Sequence, residues 1–346
     1  MQKARFILSK SKVMEQFDKL KDKADCVSYS SKTNPLVTKI LEEKTDCMFS
    51  IHMTNELRHV KDKSRVLFLA QGWNEKIIHG LVNLGIISFV VDNESDLDVM
   101  LAFLKKNNIK ISLQFRVRLK EHSIRTERYF VFGMSADVIN RRIKEISKSF
   151  SPKIQSLGVH FHRKSQNMTE WNLKYEISNI LNEGTLELID IVNIGGGLPS
   201  EYANTNVDVL DSIFEKISEF RGWLKSNRIK MMIEPGRFIA APSCKLITTI
   251  VGIHENNIIV NASVYSSDMD ALIVPVKLLV EGELKKGEGE PYVIKGITPC
   301  SMDLFRYRVY LNKPKVGDEI VFLNAGAYNF TTDFCDLSKI ETEIVE

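Results

Sequence analysis

Cysteine is scarce in this chain, and its placement excludes more than it suggests. The five cysteines, Cys26, Cys47, Cys244, Cys300 and Cys335, are odd in number and none stands in a C-x-x-C pair. Neither a disulfide framework nor a metal site is therefore expected. Long apolar runs are lacking as well: nothing approaches the ~20 residues that cross a bilayer. The opening MQKARFILSKSK has too short an apolar stretch for a signal peptide. A reducing cytoplasm is the expected setting. Charge of one sign is not concentrated either: the net charge is +3, spread over 346 residues, and no basic stripe interleaved with aromatics points to nucleic acid. Low-complexity linkers and internal repeats are absent. With 44% hydrophobic and 26% charged residues, the balance is that of an ordinary folded chain with room for two domains or for a barrel with an appended domain.

What is present is alternation. Short β-rich runs recur at Cys26–Ser30, Cys47–Ile51, Arg65–Ala70, Ile87–Val91, Ile111–Val117, Leu157–Phe161, Ile189–Ile194 and Ile229–Ile233. Stretches with apolar residues at helical spacing lie between them, such as NPLVTKILEEK and SDLDVMLAFLKKNN. Eight strand–helix units in this length predict an α/β fold, a (β/α)8 TIM-type barrel over residues 25–241. A doubly wound sheet is the rival, but the glycine-rich turn it wants after its first strand is missing. After Ala241 the segments become short, β-branched and turn-separated. Residues 242–346 are therefore expected to form an additional all-β domain, completed by residues 1–12.

In such a barrel, function collects at the C-terminal ends of the strands. Strand 7 runs into Gly195-Gly196-Gly197, whose backbone N–H groups could turn towards an anion, although a flexible turn would read the same. Strand 8 ends in Glu234-Pro235-Gly236-Arg237; a salt bridge or a helix cap would also account for Glu234. Strand 1 leads to Lys32, where desolvation would lower the amine pKa as a Schiff-base lysine requires, although most lysines are surface residues. Strand 6 ends in His160-Phe161-His162. The two imidazoles share one face unless the strand ends before His162. His160 alone reads as a packed core residue, and His162 as a ring able to stack on a planar group.

These motifs, in this order, resemble those of the alanine-racemase-like (fold-type III) pyridoxal-phosphate decarboxylases, the group of ornithine, arginine, diaminopimelate and carboxynorspermidine decarboxylases. Tyr29 to Asn34 is similar to Y-A-x-K-x-N, which implies that Lys32 carries the cofactor as a Schiff base. Gly158 to Ser165 resembles G-V-S-F-H-V-G-S, implying that His162 stacks on the ring and Ser165 meets the phosphate. Asn193 to Pro199 resembles D-I-G-G-G-F-P, the phosphate loop of Gly195, Gly196 and Gly197. Glu234 to Phe238 matches E-P-G-R-F fully, which implies Glu234 at the pyridine nitrogen and Gly236 and Arg237 at the phosphate. Cys300 matches a proton-donating cysteine that acts from the partner subunit, so a homodimer with shared sites is implied. Tyr328, in G-A-Y, is implied near the phosphate.

The departures concern the substrate's far end. Ser50 stands where the family has an aspartate. Ala262 follows Asn261 where ornithine decarboxylases place a second one, and the cysteine motif is a residue short at Cys300-Ser-Met-Asp303. The arginine that diaminopimelate decarboxylases use falls near Val274. Asp303, Asp268 and Asp270 are the candidates left to read the substrate. The expected activity is decarboxylation of a free basic or diamino acid, or of a larger or carrier-linked one. A racemase on the same fold would want an arginine in place of Glu234, and a non-catalytic partner-binding relative would lack Lys32 or the phosphate residues.

Overall fold

The computed structural model describes residues 2–119 and 131–346. From the N-terminus, β1 (Arg5–Ser9) runs into α1 (Lys10–Lys21), and eight strands follow: β2 (Cys26–Ser30), β3 (Met48–Ile51), β4 (Val66–Ala70), β5 (Ser88–Val91), β6 (Ile111–Arg116), β7 (Ile154–His160), β8 (Ile191–Asn193) and β9 (Lys230–Ile233). Each pairs in parallel with its neighbours. β9 returns to β2 through Cys26↔Met232 and Val27↔Ile233, so the barrel closes. The expected (β/α)8 architecture is the one observed, together with a second, β-rich unit.

The connecting helices form where caps and periodicity agree. α2 (Pro35–Lys44) starts with proline at its first position and with the Asn34 side chain accepting the Leu36 N–H at 3.0 Å. α3 (Glu75–Asn83) is capped in the same way by Asn74, and α4 (Glu94–Lys106) by Asn93. α5 (Ala136–Ser149) buries Ile139, Ile143 and Ile146, a 3–4 spacing that gives it one apolar face. α6 (Leu173–Ile180), α7 (Glu183–Leu186) and α8 (Leu210–Ser226) complete the layer. Between β3 and β4 the crossover shrinks to 3-10 turns at Thr54–His59 and Lys63–Arg65. In the barrel Leu67, Val90 and Met232 pack together. Each side chain of that size contributes about 1.5–3 kcal/mol on full burial.

The barrel unit comprises Asp18–Leu198 and Val209–Pro235; the second unit comprises Met1–Phe17, Pro199–Asp208 and Gly236–Glu346. The second unit holds α9 (Arg237–Ala240), β10 (Cys244–His254), β11 (Asn257–Val260), α10 (Val264–Ser267), α11 (Asp270–Ile273), β12 (Leu279–Val280), β13 (Glu290–Lys295), β14 (Leu304–Leu311), β15 (Glu319–Leu323) and β16 (Glu341–Val345). Its sheet runs β12-β15-β10-β11-β13-β14, and β1 lies antiparallel to β10 and parallel to β16. The break between units differs from the sequence expectation, because Gly236 to Ala241 and Pro199–Asp208 go with the sheet. The reason is packing: α9 is buried throughout, and Gly326 approaches the Ala240 carbonyl so closely that a Cβ would lie 1.9 Å from it. Among the described residues no helix is long and apolar enough to cross a membrane.

Candidate active site

The barrel mouth is built from the strand ends upward. Beyond β2, a 3-10 turn over Ser31–Thr33 carries Lys32. Its neighbours are fixed: Tyr29 is fully buried, Thr38 Oγ1 donates to Ser31 Oγ at 2.9 Å, and the Ser30 N–H donates to the Pro235 carbonyl at 3.0 Å. The Lys32 side chain itself is open to solvent while crowded by protein, which is the mark of a concave site. That crowding lowers its pKa; Glu234 and Glu56 pull it back up, and Arg116 lowers it further.

Glu234 is buried, and its carboxylate is held on both sides. Asn193 Nδ2 donates to Oε1 at 2.9 Å, and His160 Nε2 lies 3.3 Å from Oε2. Burial alone would push this carboxyl up; His160 and Asn193 bring it down to about 2, so it is ionised at neutral pH. His160 Nδ1 is itself buried without a partner. His160, expected as a packed core residue, is thus the second support of Glu234. Asn193 has a further job, since its Oδ1 accepts the Gly195 N–H at 2.9 Å.

β7 ends at His160, so His162 lies past the strand. Its ring is open to solvent on one side, and Nδ1 accepts the Gly196 N–H at 3.2 Å. Crowding, then Lys32, pushes its pKa down to about 3, and the imidazole is neutral. Of the three glycine amides expected to face an anion, those of Gly195 and Gly196 are spent inside the protein, which leaves that of Gly197. No side chain fits at Gly195: its φ is +64° and a Cβ would sit 2.3 Å from the Phe161 carbonyl. Gly195→Ala is therefore expected to cost about 2–4 kcal/mol of stability, from a left-handed alanine and a backbone clash. Urea unfolding of the two proteins checks this; an unchanged midpoint would show that the loop relaxes freely.

Sequence reading missed three residues of this mouth. His52, Glu56 and Arg116 follow or end β3 and β6, and the strand-end rule applied to every strand would have flagged them. Burial, then Lys32, pushes His52 down to about 3. Glu56 is raised by burial, and its Oε2 is buried without a partner, as is His52 Nδ1. Ser50 bonds Ser28 Oγ at 2.8 Å.

In the second unit several of the candidate residues have protein partners of their own. Arg237 is buried with its guanidinium paired through both terminal nitrogens to Asp270 (Nη2 to Oδ1 at 2.9 Å), and Nη1 also reaches Tyr202 Oη at 2.9 Å. Such a bidentate, buried pair fixes the side chain. Asp270 is therefore spent on Arg237 rather than left for a substrate. Tyr328 lies against the same guanidinium, 5.3 Å from its ring centre. Asp268 is buried with Oδ2 unpartnered; burial, then Asp270, raises its pKa well above the carboxylate range. Asp303 is not a free substrate ligand either: it is buried and accepts from Val264 N–H, Thr298 N–H and Thr298 Oγ1. Cys300 is half-buried, with Sγ 3.2 Å from Tyr265 Oη, and Ser165 is half-buried after β7. Among the described residues no cluster of three or more His, Cys, Asp or Glu is arranged to hold a metal ion.

The residues fit a planar, anionic cofactor on the observations above: buried ring nitrogens without a partner at His160 and His52, an ionised buried carboxylate, an exposed imidazole, and a loop cleared of side chains. Comparison with known proteins points the same way. The family model described as "Pyridoxal-dependent decarboxylase, pyridoxal binding domain" matches residues 10–241. A diaminopimelate decarboxylase of Bacteroides thetaiotaomicron is 23% identical over 87% of this chain and 83% of its own length. One of Aquifex aeolicus is 22% identical over 94% and 82%. Among solved structures, a lysine/ornithine decarboxylase from Vibrio vulnificus complexed with cadaverine superposes with TM-score 0.81, 22% identity and coverage of 99% and 94%. A diaminopimelate decarboxylase from Helicobacter pylori complexed with L-lysine gives 0.82, 19%, 100% and 92%. The match over two thirds of the sequence, on a barrel whose mouth suits that cofactor, makes this chain a member of the pyridoxal-dependent decarboxylase family.

Proposed function

We propose that the chain removes the α-carboxylate of a basic or diamino acid at the barrel mouth, with Lys32 as the residue that holds pyridoxal phosphate. The observation that carries this is Lys32 on the turn after β2, at the mouth of a barrel in which His160 and Asn193 hold the buried carboxylate of Glu234. Pyridoxal phosphate, when bound, supplies the sink for the electron pair left behind by departing CO2. Lys32, with its pKa lowered, offers the amine for the cofactor's aldehyde carbon. Glu234, held charged by His160 and Asn193, would keep a proton on the cofactor's ring nitrogen. His162, neutral and exposed, would lie against the cofactor ring. Ser165, Gly195, Gly196 and Gly197 of the barrel unit would line the phosphate end, with the Gly197 N–H as the amide left to face it.

Cys300 is the proton donor to the reacting carbon, acting from a second copy of the chain. Cys300→Ala is expected to lower turnover by about 10²-fold while leaving cofactor binding intact. Mixing that variant with Lys32→Ala should restore about a quarter of wild-type turnover, since half the random dimers would carry one complete site. No recovery on mixing would place Cys300 and Lys32 of one site on the same copy.

The substrate's far end is not read by Asp303 or Asp270, which are spent, nor by residue 262, which is alanine. A panel of diaminopimelate, lysine, ornithine, arginine and larger carboxylated polyamines, scored for CO2, tests the reading. Release from a member with a second nitrogen supports it. Interconversion of enantiomers without CO2 overturns it in favour of a racemase.

A further inference from the structure

Cys300 belongs to a loop shaped by one buried carboxylate. Asp303 accepts the Val264 N–H at 2.9 Å, the Thr298 N–H at 3.0 Å and the Thr298 hydroxyl at 2.7 Å, and its own N–H donates to the Cys300 carbonyl at 3.0 Å. Gly296 passes so close that a Cβ would lie 2.0 Å from Asp303 Oδ1. The loop is thereby joined to the start of α10. The next residue along α10, Tyr265, has its hydroxyl 3.2 Å from Cys300 Sγ. Its ring stacks on Phe334, centroids 3.9 Å apart at 20°, and its carbonyl accepts the Thr332 N–H at 3.1 Å and the Thr332 hydroxyl at 2.9 Å. The Phe334 N–H closes the circuit onto Thr332 Oγ1 at 3.3 Å.

A half-buried cysteine has three staggered positions for its sulfur. A phenol fixed on three sides selects one of them. We propose that Tyr265 is the positioning residue of Cys300, holding Sγ in one rotamer and bonding the sulfur through the proton-transfer step. This rests on the reading of Cys300 as proton donor. When the S–H bond breaks, the proton goes to the reacting carbon and the electron pair stays on Sγ. The Tyr265 O–H then donates to the thiolate, and water returns a proton to sulfur, leaving Tyr265 unchanged. The electrostatics agree with that order. The Tyr265 hydrogen bond is the main influence lowering the Cys300 thiol, and the same contact pushes Tyr265 up to about 12, so the thiol ionises first. The other titratable groups around the pair are Asp303, saturated by donors, and Cys335 beside Phe334.

Tyr265→Phe keeps the stacked ring and removes only the hydroxyl. The measurement is iodoacetamide alkylation of the cofactor-loaded enzyme across about pH 6 to 11, read peptide by peptide because Cys335 is also exposed. The midpoint for Cys300 is expected to rise by about half a pH unit or more, with kcat about tenfold lower, KM little changed and the pH–rate profile moved the same way. A midpoint equal to that of wild type overturns the proposal. A Cys300→Ala enzyme that turns over at wild-type speed overturns the donor reading instead, and the alkylation midpoints still decide whether Tyr265 governs the thiol.

Discussion

Lys32→Ala is expected to fold normally and to lose turnover by about 10³-fold or more, because an amine held in place acts at an effective concentration that free amines cannot match. Normal folding follows from the site: the Lys32 side chain is solvent-open and accepts no structural task in the turn, which is pinned by Tyr29, Ser31 and Thr38. Its removal relieves a desolvated cation and leaves Glu234 on its His160 and Asn193 supports. Borohydride reduction of wild-type protein followed by peptide mass mapping should leave a pyridoxyl group on the peptide containing Lys32, and none in the variant. A reduced adduct on another lysine would transfer the role away from Lys32. Small external amines should return part of the lost activity, since the space vacated lies in the open mouth.

Glu234→Gln is the second large effect. The substitution keeps shape and one acceptor for Asn193 but removes the charge that would keep the ring nitrogen protonated. Turnover is expected to fall by about 10²- to 10³-fold, the usual consequence of deleting one preorganised electrostatic partner. The same change has a stability signature with a definite sign. The carboxyl sits at about 2 in the folded chain, below its ordinary 4.5. Its contribution is therefore present above pH 4.5 and is lost as pH falls towards 2. Wild type should thus lose stability on acidification through that window faster than Glu234→Gln. Thermal melts at several pH values test this, and parallel curves for the two proteins would mean that His160 and Asn193 do not hold Glu234 as described.

Much of the mouth was legible because strand-end motifs are local. Lys32, His162, Gly195 and Glu234 each stand directly after a β-rich run, and strand ends are where barrel chemistry gathers. His160 was read as core because alternation along a strand says only that it points inward. What it meets there, Glu234, lies 74 positions away. The aspartates show the opposite case: an acidic residue in a loop reads as available, and only the fold shows Asp270 paired with Arg237 and Asp303 accepting from backbone amides.

The sequence by itself determined the barrel, the β-rich second unit and the kinds of residue at each strand end, since periodicity and backbone preferences act over a few positions. Tertiary structure alone decided which of those residues are charged, which are spent and which are open. Those states depend on burial and on partners drawn from distant strands, and no local pattern encodes either.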